Sequence, residues 1–234
     1  QPDTGEQALE IAEALVRRIK PDGTIISPID FIPVYEKSGL ISRLDRYIWE
    51  QAAAKLGEWK KAGINMSISV NISPKDFYYI DIFNTFAGLI KKYDIEPSNL
   101  KIEITETTIM SDVPNLMGEL EELRKAGFTL EMDDFGSGYS SLNTLKDINV
   151  DVLKVDMGFI KETKNVKKSR IILASVIKMA KELNLLIITE GVETEEQVDN
   201  LTKLGCDVFQ GYYFSKAIDV NEFEKRYLYR KKAG

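Results

Sequence analysis

The sequence predicts an α/β protein, a TIM-like closed (β/α)8 barrel, on three observations. Short β-branched runs alternate with amphipathic helical stretches along the chain, the pattern of parallel βα units. Six strands are clear and two more fit within the first thirty residues, a total that favours a closed barrel over an open doubly wound sheet. No linker rich in Gly, Ser or Pro divides the 234 residues, so one domain over residues 1–234 is expected.

Each element has its own signal. Residues 6–19 have high helix propensity, and propensity alone reads them as helix. Residues 41–62 place Leu44, Ile48, Ala52 and Leu56 on one helical face, and residues 113–126 do the same with Leu116, Leu120 and Leu123. Residues 169–183 and 195–204 follow the same rule. Thr194 ahead of Glu195-Glu196-Gln197 is a capping-box start, and Gly63, Gly127 and Gly205 stand where helices should stop. The strands fall at 66–71, 100–104, 129–133, 152–156, 186–190 and 208–213.

Bulk properties narrow the function. A chain that is 44% hydrophobic and 29% charged reads as a globular protein in water. The net charge of -6 argues against a nucleic-acid polymer as partner, although metal ions can reverse the local field for a small phosphorylated ligand. Cys206 alone cannot form an internal disulfide and reads as a buried inert thiol. No apolar stretch approaches the ~20 residues of a membrane span, and residues 183–189 are far too short. A cytoplasmic location is expected, although a full-length protein could be membrane-anchored. The start at Gln1-Pro2 lacks a signal-peptide pattern and reads as a domain excised from a longer multidomain protein.

The chemistry gathers at the strand ends, where barrel enzymes place it. In order these are Asn71, Glu103 with Glu106, Asp133-Asp134, Lys154 with Asp156, Glu190 with Glu193, and Gln210. A capping role accounts for Asp112 and Thr194 but not for the set, because caps need not sit within strands. Adjacent carboxylates at the end of a buried strand repel each other, and a bound cation is the simplest remedy. The chain has no histidine, which removes the usual imidazole base and zinc ligand. Oxygen donors suit Mg²⁺ or Mn²⁺, with Ca²⁺ also open. Two aspartates in a row allow one to bridge two cations that clamp a phosphodiester and activate water. Lys154 has two readings, orientation of that water or of phosphate charge, and a structural ion pair with Asp156 or another acid. Gly136-Ser137-Gly138 is either a commonplace turn or a mobile loop coupling metal occupancy to substrate closure. It lacks the lysine and spacing of a Walker loop.

The sequence resembles the EAL domain family of cyclic-di-GMP phosphodiesterases. The matching motifs span nearly the whole chain in family order. They are Glu13-Ala14-Leu15-Val16-Arg17, Phe31-Ile32-Pro33, Val70-Asn71-Ile72-Ser73, Glu103-Ile104-Thr105-Glu106, Asp133-Asp134-Phe135-Gly136-Ser137-Gly138-Tyr139-Ser140-Ser141-Leu142, Leu153-Lys154-Val155-Asp156, Glu190-Gly191-Val192-Glu193-Thr194 and Gln210-Gly211-Tyr212-Tyr213-Phe214-Ser215. The resemblance implies a barrel variant with an antiparallel first strand, here truncated, and a strand at residues 13–15 where propensity favours helix. It implies hydrolysis of cyclic di-GMP to linear pGpG, which lowers a bacterial second messenger, with two Mg²⁺ or Mn²⁺ per site and Ca²⁺ inhibitory. Glu13, Asn71, Glu103 and Asp133 would hold the first cation, and Asp133 would bridge. Asp134 and Glu190 would serve the second cation or its water, with Lys154 beside the nucleophilic water. Arg17 would contact phosphate. Leu15, Asp156, Glu193 and Gln210 would line the substrate site, and Glu106 would hold the loop after Asp134.

The departures from the family pattern are Arg18, Tyr35-Glu36, Thr189 and Ala217, and none removes a metal ligand. The runner-up reading is a catalytically silent cyclic-di-GMP receptor, and a third is a purely structural interaction domain. The resemblance further implies a homodimer and fused regulatory or sensory domains outside this chain.

Overall fold

A computed structural model describes residues 11–111, 113–136, 145–158 and 166–229. Its first strand, β1 (Ile11–Glu13), is followed by a small antiparallel hairpin of β2 (Arg18–Ile19) and β3 (Ile25–Ile26). The chain then runs through β4 (Ser67–Asn71), β5 (Leu100–Thr105), β6 (Leu130–Asp133), β7 (Val152–Asp156), β8 (Leu186–Glu190) and β9 (Val208–Phe209). Seven of these strands form one curled sheet in the order β1-β4-β5-β6-β7-β8-β9, every neighbouring pair parallel. Gln210, just after β9, donates from Nε2 to Oε2 of Glu13, at the end of β1, at 2.6 Å. This side-chain bond spans from the last strand of the curled sheet to the first, which do not pair with each other among the described residues.

Two expectations are corrected in detail. Among the described residues the sheet opens on parallel β1, and the antiparallel pair is the separate β2–β3 hairpin. The truncated antiparallel first strand expected to end at Gln1-Pro2 lies outside the described residues, as do Asp112 and the loop residues Ser137, Gly138, Tyr139, Ser140, Ser141 and Leu142. Tertiary pairing overrides helix propensity at β1, but the strand closes at Glu13 rather than Leu15. Its ladder extends one bond further, from the Ala14 N–H to the Ser69 carbonyl at 2.9 Å. Strand β9 is cut to two residues because the chain must turn at Gly211, whose φ is 156°. A Cβ there would stand 2.2 Å from the Val192 carbonyl oxygen, so the backbones of residues 192 and 211 can cross only at a glycine.

Helices cover the sheet. Helix Ile41–Lys61 buries Trp49, Ala52, Ala53, Leu56 and Trp59, and Trp49 meets Phe86 of helix Ile82–Tyr93 at 4.9 Å between ring centroids. Helix Ile82–Tyr93 and helix Pro28–Ser38 were not anticipated, although Asp81 caps the first by accepting from the Asn84 N–H. Helices Leu116–Lys125, Val166–Glu182 and Glu195–Leu204 fall where apolar periodicity put them. The last begins with the expected Thr194–Gln197 capping box and ends at Gly205 in the left-handed region. Near the end of the described chain, Phe223 stacks on Trp59, and the Glu224 carboxylate accepts from Trp59 Nε1 at 2.8 Å and pairs with Lys55 at 3.2 Å. This clasp holds segment 220–228 against helix Ile41–Lys61.

One buried acid pair sits beside this frame. Asp76, 0% exposed, follows β4, and the Asp45 carboxyl of helix Ile41–Lys61 reaches it. Burial, then the Asp76 charge, pushes Asp45 up to about 9. A carboxyl raised in the folded state favours folding while it keeps its proton, and that contribution is lost as pH rises towards the folded value. In metal-free buffer the wild type should therefore lose stability between pH 5 and 9, and Asp45→Asn should lose less. Urea unfolding at several pH values checks this, and equal pH slopes for the two proteins would contradict it.

Candidate active site

The parallel register sets Glu13 beside Ser69, Asn71 beside Glu103, Thr105 beside Asp133, and Asp156 beside Glu190. Side chains alternate along a strand, so residues two apart share a face, and the inward face of β4 to β7 is polar at successive levels. At the upper level, Lys154 is 1% exposed and stands among carboxylates. Its Nζ lies 2.6 Å from Glu103 Oε1, 2.7 Å from Glu190 Oε1, 3.7 Å from Glu13 Oε2 and 3.9 Å from Asp133 Oδ1. Asn71 Nδ2 donates to the other Glu103 oxygen at 3.0 Å. Lys154 thus forms its close ion pairs with Glu103 and Glu190, not with the Asp156 named as one structural partner.

One ammonium cannot neutralise four carboxylates, and the protonation equilibria record the excess. Burial pushes Glu103 well above the ordinary carboxylate range, against the pull of Lys154. Glu190 is pushed up to about 7, by burial first and by Asp133 and Glu13 after it, with Lys154 opposing. Burial, then Asp133 and Asp156, raises Asp134. Burial alone would lower Lys154, but Glu103, Glu13, Glu190 and Asp133 outweigh it and hold the ammonium above the usual lysine range. With no metal bound, Lys154 is therefore a cation that donates hydrogen bonds to these acids.

The surrounding residues shape this cluster. Asp134 adopts φ 56°, a left-handed conformation uncommon outside glycine, and its N–H donates to Asp133 Oδ1 at 2.8 Å. The Phe135 N–H bonds the Lys154 carbonyl, and Glu106 Oε2 accepts from the Gly136 N–H at 3.3 Å. Glu106 thus meets the backbone two residues after Asp134. Asp156 Oδ1 accepts from the Gly158 N–H, and Gln210 bridges to Glu13. Glu193 opens the turn into helix Glu195–Leu204, its N–H donating to Gln197. Leu15 is 46% exposed and Arg17 is exposed, its Nη1 donating to the Val16 carbonyl, so both side chains face solvent after β1.

The sequence reading missed two supports. Trp49 Nε1 donates to the Asn71 carbonyl at 2.9 Å and fixes the end of β4. One level below the site, Ser69 Oγ donates to Glu131 Oε2 at 2.9 Å, and Lys101 pairs with the other Glu131 oxygen at 3.5 Å. The spacing of Lys101 to Glu103, and of Glu131 to Asp133, was the available signal. A separate cavity of about 180 Å³, lined by Leu56, Ile64, Met66 and Ile95, lies away from these acids and shares no residue with them.

Among the described residues, no three acidic groups are disposed for metal coordination as they stand, because the Lys154 ammonium lies between them. The donor chemistry nevertheless fits a hard divalent cation. Glu13, Asn71, Glu103, Asp133, Asp134 and Glu190 offer only oxygen donors besides one amide nitrogen, and the buried acids carry more negative charge than Lys154 offsets.

A TIM-like barrel with an acidic, all-oxygen site at its strand ends defines the class. The family model described as EAL domain matches residues 1–217, and the chain belongs to that family. The chain is 36% identical over 220 residues to signaling protein YkoW of Bacillus subtilis, covering 94% of this chain and 28% of that protein. It is 35% identical to the bifunctional diguanylate cyclase/cyclic di-GMP phosphodiesterase MucR of Pseudomonas aeruginosa, covering 90% of this chain and 31% of that one. Identity to the cyclic di-GMP phosphodiesterase PdeR of Escherichia coli is 33%, over 93% of this chain and 33% of that one. The chain thus spans about a third of the length of these relatives. Among solved structures, the PaMucR phosphodiesterase in complex with c-di-GMP superposes with a TM-score of 0.83 at 34% identity, covering 90% of this chain and 86% of that one. The EAL enzyme Bd1971 in its cAMP and cyclic-di-GMP bound form gives 0.85 at 31% identity, covering 92% and 59%.

Removing the one cation of this buried cluster leaves its acids uncompensated. Lys154→Met should destabilise the metal-free protein by about 3–5 kcal/mol, the usual loss when one partner of a buried ion pair is removed. Urea unfolding measures it, and a variant as stable as the wild type would show that the acids do not depend on Lys154.

Proposed function

We propose that this chain hydrolyses cyclic di-GMP to linear pGpG in a reaction that needs two divalent cations, Mg²⁺ or Mn²⁺. The observation that carries the reading is Lys154 within 3.9 Å of four strand-end carboxylates, in a chain of the EAL domain family. Glu13, Asn71, Glu103 and Asp133 would hold the first cation, and Asp133, Asp134 and Glu190 the second. Bound there, the cations would lower the pKa of a water molecule and offset charge on the phosphodiester. A protonated Lys154 would donate a hydrogen bond to the attacking water or to a phosphate oxygen. Arg17 would meet phosphate, and Leu15, Asp156, Glu193 and Gln210 would line the substrate site. Glu106 would keep the loop after Asp134 in place through Gly136. Water oxygen bonds to phosphorus, one ester P–O bond breaks, and the departing ribose oxygen takes a proton.

The same reading makes the chain one domain of a longer multidomain protein, with sensory or regulatory domains fused to it and with a homodimer as the working state. A cytoplasmic location goes with it, because the substrate is a bacterial second messenger. The direct pairing of Lys154 with Glu103 and Glu190 favours a second reading, a silent cyclic-di-GMP receptor, because those acids then have a partner without any metal.

Incubation with cyclic di-GMP and Mg²⁺ or Mn²⁺, followed by chromatography, should yield pGpG. Chelator should abolish the reaction, and Ca²⁺ should inhibit it. Glu13→Ala and Asp133→Asn should each lose more than about 100-fold in rate, because even outer-shell partners of a metal site are worth 10–100-fold. An unimpaired Glu13→Ala would overturn the metal assignment. Tight calorimetric binding with no turnover would establish the receptor instead. Light scattering should find a dimer at active concentrations, and full activity from a monomer would refute that requirement.

A further inference from the structure

We infer that Trp49 is a positioning residue for the candidate active site: its indole takes the hydrogen bond that β1 gives up at Asn71, and so sets the Asn71 side chain while residues 15–17 leave the sheet. The inference rests on the reading that Asn71 is a cation ligand. In a parallel pair the ladder bonds are evenly spaced, and alternate carbonyls of a strand turn to the same neighbour. β1 and β4 share such a ladder, with Ile11, Ala12 and Glu13 beside Ser67, Ile68 and Ser69. Its last bond runs from the Ala14 N–H to the Ser69 carbonyl at 2.9 Å. The next would run from the Val16 N–H to the Asn71 carbonyl. That carbonyl accepts instead from Trp49 Nε1 at 2.9 Å. The chain after Ala14 has left the strand, and Leu15 and Arg17 face solvent.

Each partner in this bond depends on the other. Trp49 is 0% exposed, and a buried indole N–H needs an acceptor. The Asn71 carbonyl has lost its strand donor, and a backbone carbonyl at a packed helix–sheet contact needs a replacement. Helix Ile41–Lys61 packs on β4, and the Trp49 ring is fixed against Phe86, 4.9 Å away between centroids and tilted by 43°. The N–H of the same peptide group, that of Ile72, donates to the Glu103 carbonyl of β5 at 3.0 Å. The Asn71–Ile72 peptide is therefore held from both sides, by Trp49 and by β5. So oriented, Asn71 Nδ2 donates to Glu103 Oε2 at 3.0 Å, which leaves the amide oxygen, the atom a hard cation takes, outside that bond. A tryptophan serving the core alone would need only its ring here, whereas the site uses its N–H.

Two variants separate the N–H from the ring. Trp49→Phe keeps an aromatic ring against Phe86 and removes the donor, whereas Phe86→Leu keeps the donor and removes the ring contact. Crystal structures of the metal-free variants should show the Asn71 amide off Glu103 in Trp49→Phe and still on it in Phe86→Leu. Titration with Mn²⁺ alone, followed by electron paramagnetic resonance, should find affinity reduced about 10–100-fold in Trp49→Phe, the range for partners that orient a metal ligand. Phe86→Leu should bind Mn²⁺ as the wild type does. An Asn71 amide still on Glu103 in Trp49→Phe, unchanged Mn²⁺ affinity there, or equal losses in Phe86→Leu would overturn the inference. A wild type that binds no Mn²⁺ would sink the cation reading instead, and the crystal structures still decide whether Trp49 sets Asn71.

Discussion

The ion pairing of Lys154 with acids from other strands is the interaction on which the site depends. Lys154 Nζ contacts Glu103 of β5 and Glu190 of β8 and lies within 3.9 Å of Glu13 of β1 and Asp133 of β6. Only a curled parallel sheet, with all these strands ending at one face, can gather those residues around one atom. A slip of one residue in any strand would turn its acid out of the barrel. The register is fixed by apolar residues on the opposite face, among them Val70, Ile102, Ile104, Met132 and Val155, all nearly fully buried.

The cluster is held in surplus negative charge, and the fold sustains it by partial compensation. Lys154 is one cation against four carboxylates, and burial keeps Glu103 and Glu190 above their ordinary values. The level beneath is locally balanced, since Lys101 and Ser69 both engage Glu131. Trp49 and Glu106 act from outside, one on the end of β4 and the other on the backbone after Asp134. The site is thus firmly positioned and electrostatically unfinished, the condition in which an added cation has most to offset.

Long periodic elements were legible in the sequence because a single strong signal fixed each. Helix Glu195–Leu204 carried a capping box and a terminal glycine, and β7 and β8 were apolar runs closed by acids. The site residues were legible because a carboxylate in a buried strand has no cheap structural explanation. What escaped depended on distant partners. Helix propensity at β1 is overruled by pairing with β4, which no local window contains. The early end of β9 follows from a backbone crossing at Val192 and Gly211. The pairing of Lys101 with Glu131 depends on the register, which sets them on neighbouring strands beneath Glu103 and Asp133. Asp45 and Asp76 lie about thirty residues apart, and neither carries a motif of its own.

The central claim is that the strand-end acids are a cation site in which Lys154 serves as a fixed donor. Anomalous diffraction from crystals grown with Mn²⁺ and cyclic di-GMP tests it most directly. The account predicts two anomalous peaks bridged by Asp133, with Glu13, Asn71 and Glu103 on one, Asp134 and Glu190 on the other, and Lys154 directed at the water or phosphate between them. Bound nucleotide with no metal peak, and Lys154 still locked between Glu103 and Glu190, would contradict it.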